Sequence, residues 1–230
     1  MGVGMEALGA AALLWIGCHI GIAGTRLRGV IVRRIGGGGF QAAFSVLSVV
    51  TITLLVMAYR GAPYDGLWIA PAGLRWLLVA VMLLAFLLFS AAILARNPTA
   101  VGGDAALRQE PRGIVRVTRH PMLWSFSIWA CVHVLGNGDA ASLLFFGAFL
   151  VTSLAGMPSI DAKVAARDPD GWRRFSAVTS IIPFGAIAAG RNRFRAGEIG
   201  MVPLALGAGL WAVLLWAHPH LFGVPAVPIR

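Results

Sequence analysis

Residues 77–95 read LLVAVMLLAFLLFSAAILA, 19 positions without a formal charge, and residues 40–59 read FQAAFSVLSVVTITLLVMAY, another 20. At about 1.5 Å of rise per residue, a helix of either length crosses a hydrocarbon core of about 30 Å. In lipid, a chain must satisfy its own backbone, so both stretches are read as spanning helices. Three further runs share that character: residues 4–23, 140–157 and 201–217, the first interrupted by Glu6 and His19. Residues 122–135 form a shorter apolar run between His120-Pro121 and Gly136-Asn137-Gly138-Asp139, the pattern of a short or tilted helix joined to the next by a tight turn. Residues 176–189 are broken by Pro183 and flanked by arginines, which predicts an interfacial or re-entrant segment. The four glycines at 36–39 lack the Lys-Ser/Thr of a phosphate loop and read as a flexible connection before the second span.

Composition agrees with this reading. The 230 residues are 58% apolar and 12% charged, against about 45–50% and 25% in soluble domains. Mean hydropathy is +0.81. Two cysteines and one lysine exclude a disulfide-stapled secreted domain, and the hydropathy excludes a disordered chain or an ordinary cytosolic enzyme. A formal charge of +10 would fit a nucleic-acid partner in a soluble protein, but here its placement argues for a membrane and no nucleic acid. Sixteen of the 19 basic residues fall in alternate loops: Arg26 to Arg34, Arg96 to Arg119, and Lys163 to Arg195. The remainder are Arg60, Arg75 and Arg230. This asymmetry predicts about six transmembrane helices with both termini outside and those three loops in the cytoplasm. The fold class expected is therefore an all-α integral membrane helical bundle, a single domain over residues 1–230. Trp68, Trp76 and Trp216 fall at the outer boundary and Trp172 at the inner one, as aromatic belts require. The first segment lacks a basic start and carries Glu6, which reads as an anchor rather than a cleaved signal peptide.

Polar and ionisable groups inside a bilayer are costly, so each is a functional candidate. His19 lies near the inner end of the first span, His133 near the end of the short fourth span, and His120 opens that span at the inner surface beside Arg119. Two neutral imidazoles on facing helices can take the axial positions of a haem. The same spacing also fits one histidine bonding a neighbouring helix and the other facing a water-filled crevice. His218 and His220 read as interfacial, Cys18 and Cys131 as structural thiols, and Asp139 as the N-cap of the fifth span. The charged stretch 159–175 reads as a surface helix anchored by Trp172 and Phe175, or as a binder of an anionic headgroup or nucleotide.

Two strings carry a family resemblance: Gly113-Ile114-Val115-Arg116-Val117-Thr118-Arg119-His120-Pro121-Met122-Leu123, and Trp129-Ala130-Cys131-Val132-His133-Val134-Leu135-Gly136-Asn137-Gly138-Asp139. With His19-Ile20-Gly21-Ile22-Ala23, Thr179-Ser180-Ile181-Ile182-Pro183-Phe184 and His218-Pro219-His220-Leu221-Phe222-Gly223, they resemble the NnrU family over nearly the whole chain. That family comprises bacterial inner-membrane proteins linked to nitrite and nitric oxide reduction, and it is similar to zeta-carotene isomerase, a haem b enzyme. The resemblance implies His19 and His133 as ligands of a haem b iron. It also implies Arg119 and His120 at the cofactor's rim near a propionate or substrate headgroup, and a hydrophobic small molecule as substrate. Where the family commonly has Ser after the first ligand this chain has Ile20, and Cys131 lies two residues before His133 rather than three. A second resemblance links Arg119-His120-Pro121, the later acid Asp161 and Gly171-Trp172-Arg173-Arg174-Phe175 to the S-adenosylmethionine-binding half of isoprenylcysteine and phospholipid methyltransferases. A non-catalytic accessory factor for a respiratory reductase is the third reading.

Overall fold

The computed structural model describes residues 3–100 and 102–227. Arg230, assigned above to an outer segment, lies outside them. Among the described residues the chain is helical without a β-strand. In order, the helices are α1 (Val3–Ile16), continuing as a π-helical turn (Gly17–Ile22), α2 (Arg26–Gly61), α3 (Ala72–Leu94), α4 (Ile114–Val117) and α5 (Pro121–Asn137). There follow α6 (Ala140–Arg167), α7 (Pro169–Ala177), α8 (Gly185–Ala188) and α9 (Met201–Phe222). Five of these stretches are long and apolar enough to cross a membrane: Gly4–Ile22, α2, α3, α6 and α9. The sixth span expected from the sequence, the short fourth one, is α5, 17 residues beginning at Pro121, where a missing N–H costs nothing; it is shorter than those five and is not counted with them.

One expectation is corrected. The connection expected at glycines 36–39 narrows to Gly36, whose non-helical dihedrals (φ 76°, ψ 166°) divide α2 into two helices that meet at a kink. The preceding basic stretch, with Thr25 accepting from the Leu27 N–H as N-cap, is already helical. A single break of backbone angle therefore does what a loop was expected to do. The interfacial segment 176–189 becomes the end of α7, a turn, and the four-residue α8.

The chain divides into two compact units, one comprising residues through Pro71 with Ala130–Ser159, the other Ala72–Trp129 with residues from Ile160 onward. In the first, the Trp15 indole donates to Thr152 Oγ1 at 3.3 Å, and Tyr59 Oη and Ser142 Oγ are 2.8 Å apart. The expected turn is present: Gly138 (φ 68°) accepts from the Leu67 and Trp68 N–H groups, and Asp139 Oδ1 accepts from the Ser142 N–H at 2.8 Å as N-cap of α6. An added Cβ at Gly138 would lie 2.1 Å from the Trp68 carbonyl oxygen, so both the angle and the space demand glycine.

In the second unit, α3 and α9 pack closely. Ser90 Oγ donates to the Pro203 carbonyl at 2.7 Å and the Trp211 indole to the Val79 carbonyl at 3.1 Å. Gly207 permits the approach, since a Cβ there would sit 2.6 Å from Ser90 Oγ and 2.8 Å from the Phe86 carbonyl oxygen. A hydrophobic core of this unit joins Leu88 and Ala91 of α3 to Val115, Val117, Val164 and Phe175, with Trp172 and Trp124 packed against it.

Large apolar side chains are exposed in numbers that a water-soluble protein does not show, and some hydroxyls are fully buried. Leu13, Val46 and Met57 are 71%, 66% and 65% exposed, while Thr51, Ser90 and Ser142 are fully buried. Hydrocarbon solvates the first group, and helix contacts satisfy the second. Gly207→Ala overpacks the α3–α9 contact and is expected to destabilise the protein by about 1–3 kcal/mol. Thermal unfolding in detergent checks this against Gly209→Ala, whose added Cβ meets nothing within 4 Å.

Candidate functional site

Two groups of chemistry-bearing side chains emerge, one in each unit. In the first unit, His19 sits in the π-helical turn Gly17–Ile22, a local widening that recurs at functional sites. Its Nδ1 is 2.9 Å from the Trp15 carbonyl oxygen. A carbonyl cannot donate, so Nδ1 carries the proton and the neutral ring presents Nε2 with its lone pair. The imidazole lies against Trp15 (ring centroids 3.8 Å) and edge-on to Phe44 (5.3 Å). From Trp15 a ladder of rings continues through Phe149 (4.9 Å), Phe145 (5.3 Å) and Phe146 (4.9 Å) to His133, which stacks on Phe146 at 4.6 Å. Both expected ligands thus stand at the two ends of one chain of aromatic contacts, with the rings of Trp15, Phe149, Phe145 and Phe146 between them and α6 supplying the three phenylalanines. Cys18 and Cys131 are free thiols, the first buried and the second exposed. Among the described residues no three His, Cys, Asp or Glu side chains gather as a metal site.

The second group forms around Asp161, on the last turns of α6. Arg119 donates to Asp161 Oδ2 from Nε (2.9 Å) and Nη2 (2.7 Å), and to the Thr179 carbonyl from Nη1 (3.1 Å). His120 Nε2–H donates to Asp161 Oδ1 at 2.8 Å. The guanidinium also lies over the Trp172 ring at 5.1 Å. His120 and Asp161 are 2% and 8% exposed, so the carboxylate answers two cationic or polar partners away from water. Local backbone holds the cluster in place. Thr118 Oγ1 donates to the Ile181 carbonyl at 2.6 Å, the Arg119 N–H to Ser180 O, and the Trp124 indole to Ile181 O. The Arg119 carbonyl accepts from Asn97 Nδ2 and Thr99 Oγ1. The expectation placed Arg119 at a propionate or headgroup; both guanidinium nitrogens that face a carboxylate are here engaged by Asp161.

A third feature escaped the sequence reading. Arg116 pairs with Glu198 through Nε and Oε2 at 2.7 Å and donates from Nη1 to Asn192 Oδ1. The Gly113 N–H and Arg195 Nη1 complete the carboxylate's partners, and together, with Arg116 foremost, they pull the Glu198 pKa down to about 2. The signal available beforehand was scarcity: in a chain with nine acids, each acid is expected to have a partner. His218, read as interfacial, donates from Nδ1 to the Val224 carbonyl at 2.7 Å near the end of α9.

The comparisons with known proteins agree with these strings. A protein-family model described as NnrU protein matches residues 7–226. The chain is 24% identical over 214 residues to the chloroplastic 15-cis-zeta-carotene isomerase of Zea mays, covering 87% of this chain and 56% of that protein. It is 27% identical over 213 residues to the corresponding Arabidopsis thaliana protein, covering 89% and 57%. The chain spans about half the length of the curated relatives it matches. No solved structure matches it significantly.

Two outcomes follow from the charge clusters. Asp161→Asn strips the carboxylate from a buried arginine and histidine, and is expected to cost about 3–5 kcal/mol, read as an early melting transition in detergent. Glu198 titrates lower in the folded chain than its ordinary 4.5, so its stabilisation is full above that value and is lost as pH falls toward 2. Unfolding measured between pH 6 and 3 should therefore show a steeper acid loss in the parent protein than in Glu198→Gln; identical slopes would remove Glu198 from the account.

Proposed function

The chain belongs to the NnrU family, and on that premise we propose that it is a multi-pass protein of the bacterial inner membrane that binds haem b through His19 and His133. Both termini lie outside in this reading. The haem serves a carotene-isomerase-like reaction on a hydrophobic small molecule, or nitrite and nitric oxide metabolism alongside a respiratory reductase. The observation that carries the proposal is the Trp15 carbonyl holding Nδ1 of His19, which leaves Nε2 as donor. Ligating histidines commonly donate their second nitrogen to a backbone carbonyl in this way.

The donor set fits that group. Haem iron brings four ring nitrogens of its own and needs two from the protein, so a pair of histidines suffices where a bare metal would need more ligands. The rings of Trp15, Phe145, Phe146 and Phe149 offer the apolar faces that a porphyrin packs against. When bound there, haem would supply a redox-active iron whose potential the two histidines would tune. The chain's own part is to fix the His19 tautomer, exclude water by aromatic packing, and carry the second imidazole on α5.

A second reading rests on a different observation. Arg119, His120, Asp161 and Trp172, through which the chain resembles membrane methyltransferases, meet in one cluster. It predicts S-adenosylmethionine binding that is lost in His120→Ala.

Absorption spectra of the oxidised and dithionite-reduced protein, with a pyridine haemochrome assay, test the first reading. A stoichiometric b-type signal is expected, lost in both His19→Ala and His133→Ala with membrane insertion intact. No haem after haem-supplemented expression, or unchanged haem in both variants, overturns it; calorimetric binding of S-adenosylmethionine by a haem-free protein would favour the second.

A further inference from the structure

The second unit contains a cleft of about 680 Å³ that the haem reading does not use. Its apolar surface comes from the exposed Leu94 and the half-buried Ala95 and Ile199, and Arg96 and Arg112 also line it. Both arginines are exposed, and neither takes part in an ion pair among the described residues, unlike Arg116, Arg119 and Arg195. Leu94 ends α3, a helix long and apolar enough to cross a membrane, and Arg96 stands two residues beyond it. The cleft therefore begins where hydrocarbon gives way to headgroups, and its two chemistries follow that boundary.

The acids nearby leave the positive charge in excess. Glu198 lines the cleft, but its carboxylate is occupied by Arg116, the Gly113 N–H and Arg195. Glu110 is the other acid of the lining, and it also edges a smaller cavity of about 290 Å³ lined by Arg191, Arg193 and Arg195. Among the described residues, Glu110 is thus the one lining carboxylate not already engaged, and it stands among several guanidinium groups. The volume is several times that of a lone phosphate and within the range of pockets for ligands of drug size, about 300–1,000 Å³. An anion alone would leave the apolar wall bare.

We propose that this cleft binds an anionic amphiphile, its phosphate or carboxylate headgroup on Arg96 and Arg112 and its hydrocarbon chain along Leu94, Ala95 and Ile199. Guanidinium forks pair such headgroups in two contacts, and the apolar wall selects a tailed ligand over a free ion. The site is independent of haem, so it stands or falls separately from the reading above.

The test measures equilibrium binding of dioctanoyl phosphatidylglycerol to the full-length protein in detergent, beside dioctanoyl phosphatidylcholine and inorganic phosphate. Saturable binding of the anionic lipid is expected, with the other two at least about tenfold weaker. Replacing both arginines by Arg96→Gln and Arg112→Gln should weaken it by about 10- to 30-fold, while the equally exposed pair Arg33→Gln and Arg34→Gln leaves it unchanged. If the double variant melts early, each single substitution gives the same comparison. Equal binding of the neutral lipid would overturn the headgroup assignment. Phosphate binding as tight as the lipid would overturn the amphiphile. Equal loss in the Arg33/Arg34 control would reduce the effect to general attraction between a basic surface and anionic lipid, and would overturn the site.

Discussion

Hydrocarbon offers no hydrogen bonds to a polypeptide, and most of this structure follows from that single lack. Each long apolar stretch must close its backbone bonds within itself, so it becomes a helix. The same demand reaches the side chains: Ser48, Thr53, Ser127 and Thr152 each return their hydroxyl to the carbonyl four residues back, on their own helix. Among the described residues no buried side-chain nitrogen or oxygen lacks a partner. Helix–helix contacts then rely on small or hydroxylated residues, as at Ser90 and Gly207, because apolar side chains gain little by leaving lipid for protein.

Charge is handled by the same logic near the ends of the helices. A carboxylate moved out of water must gather enough donors to repay its lost hydration. Asp161 collects three from Arg119 and His120, while Glu198 collects its own from Arg116, Gly113 and Arg195. Both clusters tie residues 113–120 to later parts of the chain, across 41 or 42 residues for Asp161 and 82 or 85 for Glu198. The basic loops therefore contain individual arginines with different duties. Arg116 and Arg119 are internal struts, whereas Arg96 and Arg112 keep their charge for a ligand.

The candidate haem ligands illustrate how far residue patterns carry. His19 and His133 stand out because an imidazole in an apolar helix needs a reason. The chain of aromatic contacts between them does not stand out, since Phe145, Phe146 and Phe149 look like ordinary spanning residues in a hydrophobic helix. Nor does the π-helical turn at His19, which arises from packing rather than from a residue signature. Asp161 was visible as an acid in a charged stretch and through a motif resemblance. That it engages Arg119 and His120 together, with Trp172 over the guanidinium, depends on α6, α7 and the start of α5 converging.

By itself the sequence determined the fold class, the positions of five spans, the tight turn at Gly138-Asp139 and the family, because these depend on local hydropathy, local turn chemistry and contiguous motifs. It spread over the glycines at 36–39 a connection that the structure confines to Gly36, where two helices meet at a kink. Only the tertiary structure decided which arginines are paired and which are open, that Glu198 is the partner of Arg116, and that an apolar wall meets two exposed cations in one cleft. Those outcomes depend on distances between residues far apart in the chain, and a pattern of neighbours holds no record of such distances.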